Sequence, residues 1–143
     1  MYGMKIKVIL LCLLTLMLTA CSDKTEFSWE ESSTFQVGIY TMRGEENKIG
    51  FTDLLFKAGK RQKYLWHFWA DKQDLKGPFK VIGVRESNGK EILVFEARRL
   101  GDSSHLGADA SLPSTMLLPK KGMWRLDAYI NDVLFGSIFV KVV

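Results

Sequence analysis

Residues 124–142 read WRLDAYINDVLFGSIFVKV, and this stretch decides the fold. Two runs in which apolar residues occupy every second position flank Asn131-Asp132, a dipeptide of a kind common in tight turns. The apolar positions are Trp124, Leu126, Ala128 and Ile130 in the first run and Leu134, Gly136, Ile138, Val140 and Val142 in the second. A period of two is typical of strands with one buried face. The stretch therefore predicts two antiparallel strands joined by a turn.

A second hairpin is predicted upstream of this pair. Ser87-Asn88-Gly89-Lys90 separates two apolar runs, Phe79–Glu86 and Glu91–Arg98. Asn-Gly between apolar runs is the strongest short-range signal for a hairpin, because both central residues of the favoured turn have positive φ. Both runs are therefore predicted to be strands.

The most aromatic segment of the chain, Lys63–Trp69, predicts a central strand. In an extended chain, one face carries Tyr64, Trp66 and Phe68, and the other carries Leu65, His67 and Trp69. Aromatic residues favour strands, and large side chains on both faces favour a strand inside a sheet.

The remaining elements follow from weaker patterns. The predictions are a strand at Thr34–Ile39, a polar turn at Arg43–Asn47, a short strand or connection at Ile49–Phe56, a long loop at Leu100–Pro113 and a short strand at Thr115–Leu118. Short strands with regular turns and no helical period predict an all-β fold, a two-sheet antiparallel sandwich of about seven strands over residues 34–143.

The N-terminal segment points to export from the cell. Lys5 and Lys7 precede an apolar run, Val8–Met17, and the sequence Leu18-Thr19-Ala20-Cys21 follows it. A basic start before an apolar run is typical of secretion signals. The four residues resemble the lipobox of bacterial lipoprotein precursors, in which signal peptidase cuts before a cysteine that carries lipid. The resemblance implies a signal-peptide helix over residues 1–20, acyl chains such as palmitate on Cys21, and a position at the outer face of the cell membrane.

Two other interpretations of this segment fit less well. The uncharged stretch Val8–Ala20 has 13 residues, whereas a membrane-spanning helix needs roughly 20. A plain secreted protein favours small residues of the Ala-x-Ala kind at the cleavage site, but Leu18 occupies the first of these positions. Residues 21–33 are polar and predict a flexible tether, whose large apolar residues, Phe27 and Trp29, are expected to dock on the domain rather than lie among lipid headgroups.

The composition limits the classes of function. The chain has 20 basic and 16 acidic side chains, a net charge of +4. Loss of Lys5 and Lys7 with the leader lowers the basic count to 18 and the net charge to +2. No block of like charge occurs, so nucleic acid is not an expected partner. Since Cys12 and Cys21 both lie near the N-terminus, the domain is expected to contain no disulfide, thiolate nucleophile or zinc–thiolate site, and no cofactor or metal is predicted.

Three motifs resemble those of a known group of proteins. They are Lys63–Trp69, Met116–Tyr129 (MLLPKKGMWRLDAY) and Leu134–Ile138 (LFGSI). Together they resemble a family of small, uncharacterised lipoproteins from Gram-positive bacilli, and the resemblance extends over Thr34–Val143. It implies an immunoglobulin-like domain and an extracytoplasmic location, and it supplies no catalytic residues. The paired cysteines of antibody domains are missing from this chain.

Two surfaces are candidate binding sites. Leu65, His67 and Trp69 are either a face that stacks on the sugar rings of cell-wall glycans or the second face of a buried strand; exposure of Trp69 beside His67 favours the first. Phe135 and Phe139, on the face opposite Leu134 and Ile138, are either core residues or an exposed patch for a protein partner.

The loop Gly101–Asp109 contains the residue types of a hydrolase triad or a cation site. No nucleophile-elbow pattern of glycines surrounds its serines, so a catalytic role for His105 is not expected. Asp102 and Asp109 lack the alternating acidic ligands of known calcium loops. The chain is therefore not predicted to be an enzyme.

The sequence predicts a membrane-anchored, extracytoplasmic lipoprotein that acts as a binding or interaction module. Its partners are the membrane, through lipid on Cys21, and a cell-wall polymer or a surface protein. The alternative is a structural or inhibitory partner of another cell-surface protein.

Overall fold

A computed structural model describes residues 28–102 and 105–143 of the chain. Within these residues nine strands form two antiparallel sheets. The strands are β1 (Thr34–Val37), β2 (Tyr40–Glu45), β3 (Ile49–Thr52), β4 (Gln62–Phe68), β5 (Phe79–Arg85), β6 (Glu91–Ala97), β7 (Ala110–Met116), β8 (Gly122–Ile130) and β9 (Val133–Val142). The predicted all-β sandwich is confirmed, with more strands than the seven or so that the pattern indicates.

The two sheets differ in their number of strands. One has five strands in the order β1-β2-β3-β4-β7, and the other has four in the order β6-β5-β8-β9, both counted over the described residues. The aromatic strand β4 lies between β3 and β7, inside its sheet as predicted. Both predicted hairpins are present, because β5 pairs with β6 and β8 pairs with β9.

The core lies between the sheets and is mainly aromatic. The Trp66 ring lies 4.8 Å from that of Phe51 and 5.4 Å from that of Phe79, measured between centroids. Its Nε1 donates a hydrogen bond of 2.9 Å to Ser114 Oγ. A buried N–H without an acceptor is costly, so the hydroxyl of Ser114 stabilises the indole where it lies.

Two strands of the five-stranded sheet, β2 and β7, include residues for which the sequence does not predict a strand. β2 includes Arg43, in a segment predicted to be a turn, and β7 begins at Ala110, within the segment predicted to be a loop. Arg43 is accommodated because its Nε donates to Asp53 Oδ1 at 2.8 Å. β7 contains several small polar residues and lies beside β4. One of them, Ser114, accepts the hydrogen bond of the Trp66 indole in β4.

A β-bulge changes the face on which two residues of β9 lie. Gly136 pairs with Ala128, but Leu134 pairs with Tyr129, so Phe135 is an extra residue in the strand. The predicted alternation is confirmed at Ile138, Val140 and Val142, which are buried, but it is wrong at Leu134, which is 52% exposed. Phe135 instead packs towards the core, 5.8 Å from the Phe68 ring. An extra residue of this kind reverses the alternation on one side of the bulge.

The two hairpin turns have different backbone conformations. Asn131 and Asp132 both have positive φ, 51° and 60°, which is the pattern of a tight two-residue turn. Gly89 has a φ of 65°, and its N–H donates to the Arg85 carbonyl at 2.8 Å. Asn88 is not among the residues with positive φ, so the Asn-Gly signal predicts the hairpin correctly but not its turn type.

Residues 29–33, here called the strap, lie along the outer edge of β9. Ser32 N donates to the Phe139 carbonyl at 3.0 Å, and Phe139 N donates to Ser32 Oγ at 2.8 Å. Lys141 N donates to Glu31 Oε1 at 3.1 Å. The strap thereby satisfies backbone groups that an edge strand otherwise presents to solvent.

The ring of Trp29 holds the strap to the outer face of the four-stranded sheet. It meets the Phe139 ring edge to face at 5.5 Å, and the Arg125 guanidinium lies 5.8 Å from its centroid. Trp29 thus packs on the domain, whereas the signal peptide, Cys21 and Phe27 lie outside the described residues. No helix in the described part of the chain is long and apolar enough to cross a membrane.

Candidate functional site: the Trp69 cleft

One predicted binding residue lines an open cleft. Trp69 directly follows β4, and its N–H donates to the Lys48 carbonyl at 2.9 Å, which fixes the backbone that carries the ring. The cleft has a volume of about 280 Å³. Its lining residues are Phe35, Gln36, Val37, Gly38, Glu46, Asn47, Trp69 and Leu106. We call this site the Trp69 cleft.

A glycine in β3 shapes the aromatic wall of the Trp69 cleft. The Phe35 ring lies flat enough on the sheet that a Cβ at Gly50 would be 2.7 Å from its Cζ. In this position the Phe35 ring lies 5.9 Å from that of Trp69, tilted by 66°. The two rings therefore form one apolar wall, which depends on the absence of a side chain at residue 50.

The opposite wall comes from the long loop before β7. Leu106 has a φ of 54° and a ψ of 36°, in the left-handed region that residues other than glycine rarely adopt. A Cβ at Gly38 would be 3.3 Å from Leu106 Cδ2, so the leucine reaches the β1–β2 turn. The loop is fixed at its base, where Asp109 N donates to the Phe68 carbonyl and Asp109 Oδ2 accepts from Ala70 N.

His67 does not share the exposure of Trp69. Its side chain is fully buried, and its ring lies 5.9 Å from the Trp69 ring, tilted by 54°. A ligand in the Trp69 cleft can therefore contact Trp69 but not His67, whose ring supports the Trp69 ring from inside.

The polar groups of the Trp69 cleft can form hydrogen bonds with a bound molecule. Glu46 supplies a carboxylate, and Gln36 and Asn47 supply amides that both donate and accept. An aromatic face with carboxylate and amide groups beside it suits a ligand with an apolar face and a hydroxylated rim. Within the described residues no cluster of three or more His, Cys, Asp or Glu side chains suits a metal ion.

The predicted patch at Phe135 and Phe139 is divided in the structure. Phe139 lies under Trp29, and Phe135 packs on Phe68, so neither ring is fully exposed. The exposed apolar residues of this region are Val133, at 67%, and Leu134. Together with Phe135 they line a cleft of about 400 Å³.

The loop Gly101–Asp109 shows no arrangement typical of catalysis in its described part. Asp102 and Asp109 line a cleft of about 190 Å³ with Lys72 and Lys76. The Asp109 carboxylate accepts a backbone hydrogen bond, which is a structural role. Ser103 and Ser104 lie outside the described residues.

Comparison with known proteins identifies the family of the chain. The profile of a domain of unknown function, DUF4871, matches residues 20–140. The chain belongs to the DUF4871 family. No curated protein matches it.

Two solved structures are similar to this DUF4871 chain. A crystal structure of a candidate lipoprotein from Bacillus anthracis has a TM-score of 0.67 at 20% identity, over 83% of this chain and 89% of that one. This likeness concerns the fold alone. A superoxide reductase (neelaredoxin, T24K) from Ignicoccus hospitalis has a TM-score of 0.43 at 13% identity, over 68% of this chain and 81% of that one, which is too slight to support an argument.

Sequence reasoning found Trp69 but missed its neighbours in this DUF4871 domain. The sequence predicts only a strand for Phe35 and only a loop with polar residues for Leu106. Nothing in the local pattern places Phe35 over Gly50, because that contact depends on how β1 and β2 fold across β3. A leucine in a segment of glycine and small polar residues was the available signal for Leu106, because such loops rarely carry a large apolar residue without a packing role.

Proposed function

We propose that this DUF4871 protein is a lipoprotein, held by lipid on Cys21 at the outer face of the cell membrane, where its domain is a binding module. The sequence Leu18-Thr19-Ala20-Cys21 carries the anchoring part of the proposal. The family match begins at residue 20, next to Cys21, and the similar Bacillus anthracis protein is described as a candidate lipoprotein. A thiol can form a thioether with diacylglycerol, and two acyl chains give a stable membrane anchor.

The two cysteines of the chain allow a matched test of the anchor. Cells that produce the full chain are labelled with radioactive palmitate, and the membrane fraction is separated. We expect Cys21→Ser to remove both the label and the membrane association, whereas Cys12→Ser, in the apolar run of the leader, keeps both. Label that persists in the Cys21→Ser protein would contradict the proposal.

The Trp69 cleft carries the binding part of the proposal. Sugar rings present an apolar face of C–H groups and a rim of hydroxyls, and the cleft offers an aromatic wall with Gln36, Glu46 and Asn47 near it. Trp69 has the largest aromatic face available to such a ring. We therefore assign the cleft to a sugar unit of a cell-wall glycan, in line with the extracytoplasmic position proposed for the domain.

Variants of Trp69 test this assignment. Purified protein is sedimented with insoluble cell-wall glycan, and binding is also followed by tryptophan fluorescence. We expect Trp69→Ala to weaken binding at least about tenfold, the equivalent of about 1.4 kcal/mol, and Trp69→Phe to retain most of it. Leu93→Ala, a change at an exposed apolar residue of β6, is the control and should bind normally. Equal binding by Trp69→Ala and the unchanged protein would exclude the cleft as the site.

A protein partner is the second candidate for the binding role. The observation that favours it is the pair of exposed aliphatic residues, Val133 and Leu134, at the cleft of about 400 Å³ beside Phe135. Exposed apolar surface of this kind often marks a protein contact. Crosslinking in intact cells should then capture one surface protein with the unchanged chain and lose it with Leu134→Asp.

The strand order supports an immunoglobulin-like assignment of the sandwich. Such domains place the order A-B-E in one sheet and C-F-G in the other, and in some of them C′ joins beside C to give C′-C-F-G. Here β3-β4-β7 and β6-β5-β8-β9 have these orders, when the strands are taken in their sequence along the chain. β1 and β2 then form an additional hairpin at one edge, and this hairpin supplies Phe35 to the Trp69 cleft.

A further inference from the structure

We infer that the anchored domain has a fixed orientation, with the loop of residues 54–60 lying against anionic lipid headgroups. This inference rests on the proposed lipid on Cys21 and extends it, because it names the surface that meets the membrane. We call that surface the basic end; it comprises residues 54–60, 120–121 and 141.

The chain between the lipid and the domain is short. Seven residues, 22–28, separate Cys21 from the strap. Even fully extended, the eight Cα–Cα steps from Cys21 to Trp29 reach at most about 29 Å. A domain of about 110 residues is roughly 35 Å across, taking its radius of gyration as about 13 Å. The strap must therefore stay near the membrane surface, and the far side of the domain cannot turn towards it.

Glu31 of the strap lies next to two exposed leucines. Glu31 and Lys141, which are joined by a hydrogen bond, line a cleft of about 220 Å³ together with Leu54 and Leu55. Leu54 is 46% exposed and Leu55 is 56% exposed. The tether thus holds these leucines at the side of the domain that is nearest to the lipid.

Ring packing and backbone hydrogen bonds fix the loop that carries the two leucines. The buried Phe56 ring stacks on Tyr64 at 4.4 Å, and Val143 N donates to the Phe56 carbonyl at 2.9 Å. Ala58 N donates to the Val143 carbonyl, and Gly59 N donates to the Leu118 carbonyl, both at 2.9 Å. Leu54 and Leu55 therefore remain outside because their neighbour Phe56 fills the space beneath them.

Positive charge surrounds the leucines. The exposed basic residues of the basic end are Lys57, Lys60, Lys120, Lys121 and Lys141. In the described part of the chain no carboxylate lies within ion-pair distance of these side chains. Of the nearby acids, Asp53 is paired with Arg43, and Glu31 accepts from Lys141 N. Glu30, exposed beside Glu31 in the strap, and Glu86, whose N–H donates to the Met123 carbonyl, are further acids of this region.

The combination of two exposed leucines with basic side chains around them fits a lipid surface better than a protein partner. Aliphatic side chains that reach the headgroup boundary and lysines that contact anionic headgroups are the two components of interfacial binding. The attraction acts within about 8 Å at physiological salt, so it requires a close approach, which the short tether permits. The methylene groups of a lysine side chain can also lie along the interface while its ammonium group stays in water.

A single cysteine probe can report the orientation. Full-length protein in a Cys12→Ala background is produced in a host that lipidates it, and mass spectrometry verifies the lipid on Cys21. Because the domain has no other cysteine, Leu55→Cys can be labelled selectively with an environment-sensitive fluorophore. The protein is placed in vesicles of phosphatidylglycerol and phosphatidylcholine, with or without nitroxide-labelled lipid. Val133→Cys is the matched control, since Val133 is exposed and about 30 Å of β9 separates it from Val142, which pairs with Phe56 beside Leu55.

We expect the Leu55 probe to shift to shorter emission wavelength and to lose at least half of its intensity with nitroxide lipid, and the Val133 probe to change little. In vesicles of phosphatidylcholine alone the quenching of the Leu55 probe should decrease. An unquenched Leu55 probe on lipidated protein, or equal quenching of both probes, overturns the orientation but leaves the anchor in place. A Leu55 emission shift that depends on protein concentration without vesicles also overturns it, because it reveals a protein contact. An unmodified Cys21 overturns both proposals.

Discussion

At the scale of single residues, Tyr64 shows how the core controls an ionisable group. Its ring is fully buried beside Phe56, and its hydroxyl donates to Gln62 Oε1 at 3.2 Å. Burial raises the pKa of the Tyr64 phenol far above its ordinary value of about 10, and the nearby Asp53 carboxylate raises it further. The folded protein therefore holds this proton more tightly than the unfolded chain does.

The Tyr64 phenol makes the protein sensitive to alkali. Below about pH 10 both states keep the proton, so its contribution to stability is complete; above that pH the unfolded chain ionises first and stability falls. The free energy of unfolding then falls by at most about 1.4 kcal/mol per pH unit. In urea denaturation between neutral and strongly alkaline pH, Tyr64→Phe should lose less stability than the unchanged protein. Tyr129→Phe, at a partly exposed tyrosine, is the control and should follow the unchanged protein.

Gly50 links the packing of β3 to the Trp69 cleft. A Cβ at this position would be 2.7 Å from the Phe35 ring, so Gly50→Ala must displace the ring or the strand, at a cost of about 1–3 kcal/mol. We expect lower stability in urea and a shifted NMR signal of the Trp69 indole. Adding Phe35→Leu shortens the displaced side chain and should recover part of the loss. Additive effects of the two changes would show that this contact does not determine the cost.

At the scale of elements, the strap is a small segment with a large effect on β9. Trp29 covers the Phe139 ring, and Ser32 bonds to the Phe139 backbone. Loss of a partly buried aromatic pair costs about 1–2 kcal/mol. We expect Trp29→Ala to lower the free energy of unfolding by this amount, and Ser28→Ala, at an exposed residue, to leave it unchanged. If Trp29→Ala were as stable as the unchanged protein, the strap would not contribute to the fold.

The elements differ in how far the sequence predicts them. β5, β6, β8 and β9 follow from alternation and turn residues, because short turns join β5 to β6 and β8 to β9, and β4 follows from its aromatic residues. β2 does not, since the Arg43 guanidinium is accommodated by Asp53 and by the Ser32 carbonyl, both at least ten residues away along the chain. The bulge at Phe135 also cannot be predicted from the sequence, because it depends on the pairing of Leu134 with Tyr129. In the Trp69 cleft, Trp69 belongs to a predicted strand, but Phe35 and Leu106 reach it through tertiary contacts.

At the scale of the whole molecule, the two proposed contact surfaces, the basic end and the Trp69 cleft, involve different parts of the domain. The strap and the leucines at 54–55 lie together, since Glu31 and Lys141 share a cleft with them. The Trp69 cleft is built instead from the β1–β2 and β2–β3 turns and from Leu106. No residue lines both clefts. Contact with lipid at the basic end therefore leaves the Trp69 cleft open to a wall polymer, so the two proposals are compatible in one molecule.

The strap also affects how the molecule behaves towards its own copies. In its absence the backbone N–H and carbonyl of Phe139 and the N–H of Lys141 lose their partners, and the Phe139 ring is uncovered. An edge strand in this state is a template for pairing with another chain. We therefore expect a chain that begins at Thr34 to form dimers or larger species in light scattering after gel filtration, whereas a chain that begins at Ser28 stays monomeric.

A charge on the uncovered edge separates strand pairing from a general loss of stability. Because lysine on an edge strand opposes pairing, Phe139→Lys should return the chain that begins at Thr34 to the monomeric state without restoring its stability in urea. If both truncated chains were monomeric, the other cover of the β9 edge, the hydrogen bonds of Val143 with Phe56 and Ala58, would be sufficient to protect it. If Phe139→Lys left the association unchanged, the copies would be joined through another surface, and the role assigned to the strap as a cover of β9 would be wrong.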